Sequence, residues 1–156
     1  MPEPRFATKT TISPEKSQQE LMAILRKYGA DKLGTMEDRK TNKALLYFQF
    51  KNLDIEITLS LPSKGEFART DGGKQRTAAA QEEAWQQAIR SRYRVLVLAT
   101  KAKLEAVECG LSTVEQEFLA FVTLPGGTHV GEVLVPRLIQ AGKTGDWSQL
   151  QLTDGR

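Results

Sequence analysis

Clustered lysine and arginine side chains are the residues of this chain whose types and spacing most readily suggest chemistry. Residues 62–103 contain nine Lys and Arg against four Asp and Glu, whereas residues 104–156 contain three against seven. Ammonium and guanidinium groups bind phosphate oxygens, and a cluster of them raises the local potential above what the net charge of +3 suggests. We therefore predict that six residues contact nucleic-acid phosphates: Lys64, Arg69, Lys74, Arg76, Arg90 and Arg94.

Four of these six residues lie in the segment PSKGEFARTDGGKQR, residues 62–76, which has turn formers and charges but no apolar periodicity. That composition predicts a mobile surface loop. Main-chain amides at Gly72 and Gly73, with Lys74 ahead of a predicted helix, would attract an anion, but their spacing is not that of a P-loop. A flexible loop is the preferred interpretation, and contact with a nucleic-acid phosphate stays open.

The helix predicted after this loop carries five cations, namely Arg90, Arg92, Arg94, Lys101 and Lys103. At 100° per residue, Arg90, Arg94 and Lys101 share one side of the helix. Arg92 and Lys103 point nearly the opposite way. The preferred interpretation is that both patches are solvated flanks of a long helix whose acids balance the charge. Phosphate contact is the alternative.

No catalytic or metal-binding motif accompanies these cations. The chain has one cysteine, Cys109, and one histidine, His129, so it lacks a Cys/His set for zinc. His129 has no identifiable catalytic partner, and Cys109 is interpreted as a small packing residue. Asp54 and Glu56 alternate along a predicted strand, as acids on a solvated face do. We expect a non-enzymatic protein that needs no cofactor and no metal.

Hydrophobic periodicity predicts the first elements that position these residues. Ser13-Pro14 is a helix start, and apolar residues at i, i+3, i+4 and i+7 predict a helix over about 14–28. Residues 53–61 alternate between apolar and polar, which predicts a half-buried strand. Residues 44–50 predict another, and the short Lys51-Asn52 break joins the two as an antiparallel hairpin. Residues 31–37 add a third strand.

The second half of the chain is predicted to be mainly helical. Residues 77–110 form one helix of about 30 residues or more, and Ser112 with Glu115 matches a capping box for a third helix ending near Phe121. A small hairpin around residues 125–127 and a last helix over 131–141 follow. The sequence thus predicts an α+β fold with an N-terminal helix, a three-stranded antiparallel sheet, a long helix and a helical C-terminal part with a small hairpin. The predicted core contains Leu25, Leu46, Phe48, Ile55, Ile57, Leu59, Ile89 and Leu96.

A single domain is expected, because a chain of 156 residues has the usual size for one core. We predict that this domain covers residues 13–141, after a flexible arm of residues 1–12 and before a loosely attached tail of residues 142–156. No apolar run reaches the roughly 18 residues of a membrane span, and the polar start lacks the apolar core of a secretory signal. We expect a cytoplasmic protein without membrane contact.

Three stretches of the sequence carry a resemblance to known proteins. KSQQELMAILRKYGADKL, KAKLEAVECGLSTVEQEFLAFVTLP and HVGEVLVPRLI resemble small proteins of unassigned function that are frequent in phage and prophage genomes. The order of helix, three antiparallel strands and long helix is similar to that of double-stranded-RNA-binding domains. Without its first helix, it is similar to that of Rad52-type single-strand annealing proteins. The resemblance to phage proteins implies a viral origin, and with it the cytoplasm of a bacterial host cell, and carries over no catalytic residue. The expectation of a nucleic-acid partner comes from the basic segment.

Two hypotheses from different classes follow from the sequence. The first is a non-enzymatic, phage-type nucleic-acid-binding protein in DNA replication, recombination or repair. The alternative is a protein-interaction module that inhibits a host protein or sequesters a signalling nucleotide. DNA or RNA, single or double strand, and a monomer or a homo-oligomer all stay open at this stage.

Overall fold

The computed structural model describes residues 6–150 and has the predicted α+β architecture. The helices and strands of this part of the chain are α1 (Pro14–Lys27), β1 (Leu33–Asp38), β2 (Lys43–Phe50), β3 (Leu53–Ser60), α2 (Ala78–Glu108), α3 (Val114–Phe118) and α4 (Val130–Thr144). Short 3₁₀ turns cover Lys64–Phe67, Leu119–Phe121 and Ser148–Leu150. The predicted arm and tail fall partly on residues 1–5 and 151–156, which lie outside the described residues.

The three strands form one antiparallel sheet in the order β1-β2-β3. Lys51 and Asn52 both have positive φ, 47° and 66°, which is the conformation that a two-residue type I′ hairpin turn requires. The register places Phe48 opposite Ile55. β2 and β3 therefore turn one face toward the helices, as the period of two predicts for these two strands.

The core lies between this face of the sheet and helices α1, α2 and α3. The rings of Phe48 and Phe118 meet edge to face at its centre, with centroids 5.2 Å apart and planes at 86°. The buried side chains around them include Leu21, Leu25, Leu46, Ile55, Leu96, Val97 and Leu104. Burial of five predicted core residues is thereby confirmed, namely Leu25, Leu46, Phe48, Ile55 and Leu96.

The other three predicted core residues, Ile57, Leu59 and Ile89, are only partly buried. For the first two the reason lies in the sheet order, because β3 is an edge strand. Val122 pairs with β3 at Ile55, and Ile57 and Leu59 lie beyond that bridge. The period of two identified the inward face of β3 but not its place at the edge of the sheet.

Helix α2 runs unbroken for 31 residues, or about 46 Å at 1.5 Å per residue. It begins after Thr77, whose Oγ1 accepts a hydrogen bond of 3.2 Å from the main-chain N of Ala80. It ends before Gly110, which has a φ of 77° and so takes the left-handed conformation that glycine adopts easily. The helix contacts α1, α3 and β3, so it organises the whole fold.

The C-terminal part differs from the prediction in its boundaries. The capping box of α3 pairs Thr113 with Gln116, one residue later than the predicted Ser112 and Glu115, because Ser112 Oγ bonds Glu117 Oε1 at 2.7 Å instead. The predicted hairpin is a tight turn with one bridge, between Thr123 and His129. Helix α4 then continues to Thr144, three residues beyond the predicted end, and contains Pro136.

Candidate functional site

Three arginines line one cleft between the loop of residues 62–76, the first half of α2 and Thr8. Its volume is about 690 Å³. We call it the arginine cleft and define it by six of its lining residues: Phe67, Arg69, Arg76, Gln87, Ser91 and Arg92. Two of the six residues predicted to contact phosphates, Arg69 and Arg76, are therefore in it.

The loop wall of the cleft is held by its own hydrogen bonds. Ser63 N donates to Glu66 Oε1 at 2.8 Å, which caps the 3₁₀ turn at the start of the loop. Further along, Thr70 N donates to Lys74 O, and Gly73 N donates to Thr70 O, both at 2.8 Å. Gly73 has a φ of 79°, a backbone conformation that glycine adopts without strain, so it suits this reversal of the chain. The segment lies at the surface, as predicted, and folds back on itself.

Arg76 closes the loop from its C-terminal end. Its Nη1 lies 3.2 Å from the main-chain O of Phe67 and 2.5 Å from that of Arg69. Both contacts use Nη1 alone, whereas a guanidinium carries five N–H donors. Arg76 can therefore fix the loop and still donate to a ligand in the cleft. The side chain of Arg69 is exposed. Because Arg76 bonds only the main-chain oxygen of Arg69, truncating the Arg69 side chain leaves both acceptors of Arg76 in place.

The helix wall of the cleft is the face of α2 opposite the core. Gln87 Nε2 donates to the main-chain O of Thr8 at 2.9 Å and of Thr10 at 3.0 Å. Ser91 Oγ donates to Ala7 O at 3.0 Å. These bonds hold residues 7–10, part of the predicted flexible arm, against α2. Arg92 lines the cleft from about 100° further around the helix than Ser91, on the side away from Arg90 and Arg94.

The remaining predicted site residues lie outside the cleft, and three of them have acidic partners. Lys64 Nζ is 2.5 Å from Glu82 Oε2, and Arg90 Nη2 is 2.8 Å from Glu83 Oε1. Arg94 pairs with Glu20 of α1. Lys74 lies in the same loop as Arg69 and is exposed. The six predicted residues are thus divided among the cleft, the loop and the junction of α2 with its neighbours.

The charge of the arginine cleft is mixed. Glu66 and Asp71 also line it, so three arginines face two acids. The hydrogen bond from the main chain of Ser63 lowers the pKa of Glu66, with help from the Ser63 hydroxyl, so this carboxyl is ionised at neutral pH. Outside the cleft, the hydrogen bond from Lys64 lowers the pKa of Glu82. Because the two acids offset part of the positive charge, the cleft would bind an anion through the hydrogen-bond geometry of its guanidinium groups as well as through their charge.

Sequence reasoning missed the contribution of Gln87 and Ser91 to the cleft. The signal was a set of small and polar residues at helical spacing, Ala84, Gln87, Ala88 and Ser91, on the side of α2 away from its apolar stripe. Small and polar residues on the outer face of a helix are common. Only the fold shows that residues 7–10 and the loop come together over this face.

The other residues considered for chemistry have structural surroundings. His129 precedes α4 and lies between Glu56, 3.5 Å from its Nε2, and Glu132, 3.6 Å from its Nδ1. Asp54 accepts hydrogen bonds from Tyr47 Oη at 2.6 Å and Gln49 Nε2 at 3.1 Å. The interpretation of Cys109 as a packing residue was wrong, because this residue is exposed just after the last turn of α2.

Two further findings concern residues 6–150 only. Within that range, no cluster of three or more His, Cys, Asp and Glu side chains is arranged to hold a metal ion. None of the helices described there combines the length and the apolar character needed to cross a membrane.

Comparisons with known proteins give no family for this chain. No protein-family model matches it, and neither a curated protein nor a solved structure matches it significantly. The geometry of the described residues is therefore the basis for a functional proposal.

Proposed function

We propose that this chain is a non-enzymatic nucleic-acid-binding protein that contacts phosphates through the arginine cleft. The observation that carries the proposal is the convergence of Arg69, Arg76 and Arg92 on one cleft. A phage-type role in DNA replication, recombination or repair, in the cytoplasm of a bacterial host, is the broader part of the same proposal.

The chemistry of the cleft suits a phosphodiester backbone. A guanidinium group donates two parallel hydrogen bonds to a phosphate, and the planar fork keeps its geometry when it binds. Phe67 adds an apolar surface beside Arg69, against which a sugar or a base can pack. Phosphate contacts carry no sequence information directly, so we expect little sequence preference.

The ion pairs limit how many phosphates are contacted. Lys64, Arg90 and Arg94 are each engaged by a carboxylate, and breaking such a pair offsets part of what a new phosphate contact would contribute. The contacts are assigned to the three arginines that line the cleft and to Lys74, which is exposed in the same loop. About three to four phosphates would be neutralised on this basis.

The volume and lining of the cleft favour a second candidate function, the sequestering of a nucleotide. Sites for small molecules usually have volumes of about 300 to 1,000 Å³ with a few convergent polar groups, and the cleft, at about 690 Å³, lies in that range. A nucleotide would place its phosphates on the arginines and its base on Phe67.

Fluorescence anisotropy with labelled oligonucleotides of increasing length separates these two functions. A nucleic-acid-binding protein should gain affinity with length until the phosphate contacts are filled, and a mononucleotide should compete weakly. A nucleotide-sequestering protein should bind the mononucleotide as tightly as the longest oligonucleotide. Failure of every DNA and RNA probe to bind at micromolar concentration and low salt would overturn the proposal.

A further inference from the structure

Helix α4 presents an apolar face that nothing in the described part of the chain covers. Its Val135, Leu138 and Ile139 side chains are 48%, 47% and 54% exposed. The helix packs on the rest of the protein through Ala141, on another side, and through Gly131, which lies at the N-terminal end of the row of Val135 and Leu138, close to Ala120. Large apolar side chains grouped in this way on a surface usually mark an interaction site.

The residues of this face are arranged symmetrically about the middle of the helix. Residues at i, i+4, i+7 and i+11 lie in one row along a helix. One such row reads Glu132, Pro136, Ile139 and Lys143, so two apolar residues stand between an acid at one end and a base at the other. Val135 and Leu138 occupy the centre of the adjacent row. Along the helix axis, the midpoint of the first row falls just after Arg137, and the midpoint between Val135 and Leu138 falls just before it.

We infer that this face binds a second copy of the same chain, with the two α4 helices antiparallel about a two-fold axis that crosses the interface at the level of Arg137. Such an axis brings the apolar centre of each helix onto that of the other. It also places Glu132 of each copy at the level of Lys143 of the other and on the same flank, which makes two equivalent ion pairs. A parallel arrangement would instead bring like charges together.

The surroundings of α4 leave room for this arrangement. Leu119, which is 51% exposed, adjoins Ala120 at the Glu132 end of the face. In an antiparallel pair, the Gly142 end of the second copy comes to this place, and a Cβ added at Gly142 would meet open space. This surface is separate from the arginine cleft, so the inference does not depend on the proposed function.

Sedimentation velocity over a range of concentrations tests the inference with charge-reversed variants. Glu132→Lys and Lys143→Glu each place like charges opposite one another and should raise the dissociation constant of the dimer about tenfold. Mixing the two variants should restore the dimer, because every flanking pair in the mixed dimer is again of opposite charge. In a parallel pair the single reversals would not weaken the dimer, because like charges already share a level in the wild type.

Leu138→Glu provides a second test that does not involve the residues that cap α4. Glu132 also accepts a hydrogen bond of 3.1 Å from His129 N, so its replacement weakens the start of the helix as well. Leu138 is half exposed and its replacement should leave the far-ultraviolet circular dichroism unchanged while abolishing the dimer. A wild-type chain that stays monomeric into the high micromolar range would overturn the inference, and so would a dimer that survives Leu138→Glu.

Discussion

The indole Nε1 of Trp85 on α2 donates a hydrogen bond of 2.8 Å to the main-chain O of Pro62, where the chain leaves β3 for the cleft loop. Pro62 is buried, and a polar group of a buried residue needs a hydrogen-bond partner. The bond fixes the start of the loop on the helix, and Arg76 fixes its end. The position of the loop wall of the arginine cleft therefore depends on both contacts.

Trp85→Phe should lower the free energy of unfolding by about 1 to 3 kcal/mol, because it leaves the Pro62 oxygen unsatisfied and keeps much of the aromatic packing. Urea denaturation measures the change. Trp147→Phe is the matched control: Trp147 is 54% exposed, and its replacement should cost less than about 0.5 kcal/mol. Equal effects of the two changes would contradict this role of the Trp85 hydrogen bond.

The edge position of β3 can be tested by comparing two isoleucines on the same face. Ile55 is fully buried beside Val122, whereas Ile57 is partly exposed. Ile55→Ala should destabilise the protein by about 3 to 4 kcal/mol and Ile57→Ala by about 1 to 2 kcal/mol, because cavity cost grows with burial. Thermal denaturation of both variants gives the comparison, and an equal cost would place β3 in the interior of the sheet.

Tyr93 should make the protein less stable at alkaline pH. Burial raises the pKa of its phenol, and the nearby carboxylate of Glu37, 3.3 Å from Tyr93 Oη, raises it further. Since the folded-state pKa is the higher one, the stabilisation is fully present below the unfolded value of about 10 and is lost as the pH rises through the folded value. Tyr93→Phe should flatten the fall in melting temperature above about pH 10. An unchanged slope would contradict this assignment.

Two glycines in α4 should respond in opposite ways to alanine. A Cβ at Gly131 would lie 2.9 Å from the main-chain O of Ala120, a distance at which the backbone must shift. A Cβ at Gly142 would meet nothing within 4 Å. At low micromolar concentration, Gly142→Ala should therefore stabilise the protein by up to about 1 kcal/mol through helix propensity. Gly131→Ala should destabilise it, and a stabilising Gly131→Ala would show that Ala120 does not pack against α4.

Local pattern predicted the elements well because their causes are local. The period of two in β3, the Ser13-Pro14 start of α1 and the glycine after α2 each act within a few residues. The α3 capping box was placed one residue early because both Ser112/Glu115 and Thr113/Gln116 fit the same spacing. Both caps satisfy the same sequence pattern, and tertiary contacts decide which of them forms. The pattern alone therefore cannot choose between them.

The candidate site depended on contacts that no local pattern contains. Gln87 bonds Thr8 across 79 positions of the chain, and Arg94 pairs with Glu20 across 74. Sequence could identify Arg69 and Arg76 as loop cations, but not that Arg92 would join them. Nor could it show that Arg90 would pair with Glu83 and Arg94 with Glu20. Charge counts predict a basic segment, whereas the fold decides which of its cations line a common cleft.

The salt dependence of duplex DNA binding is the most direct test of the arginine cleft as a phosphate site. Contact with three to four phosphates predicts that affinity falls about 40- to 150-fold between about 50 and 200 mM salt, since each contact contributes a slope near −0.9. Arg69→Ala with Arg92→Ala should weaken binding to all sequences and reduce that slope by about 1.8. Lys32→Ala with Lys40→Ala removes the same charge from exposed positions outside the cleft lining and should leave the slope nearly unchanged. Binding that is insensitive to salt, or an equal loss in the two double variants, would contradict the account.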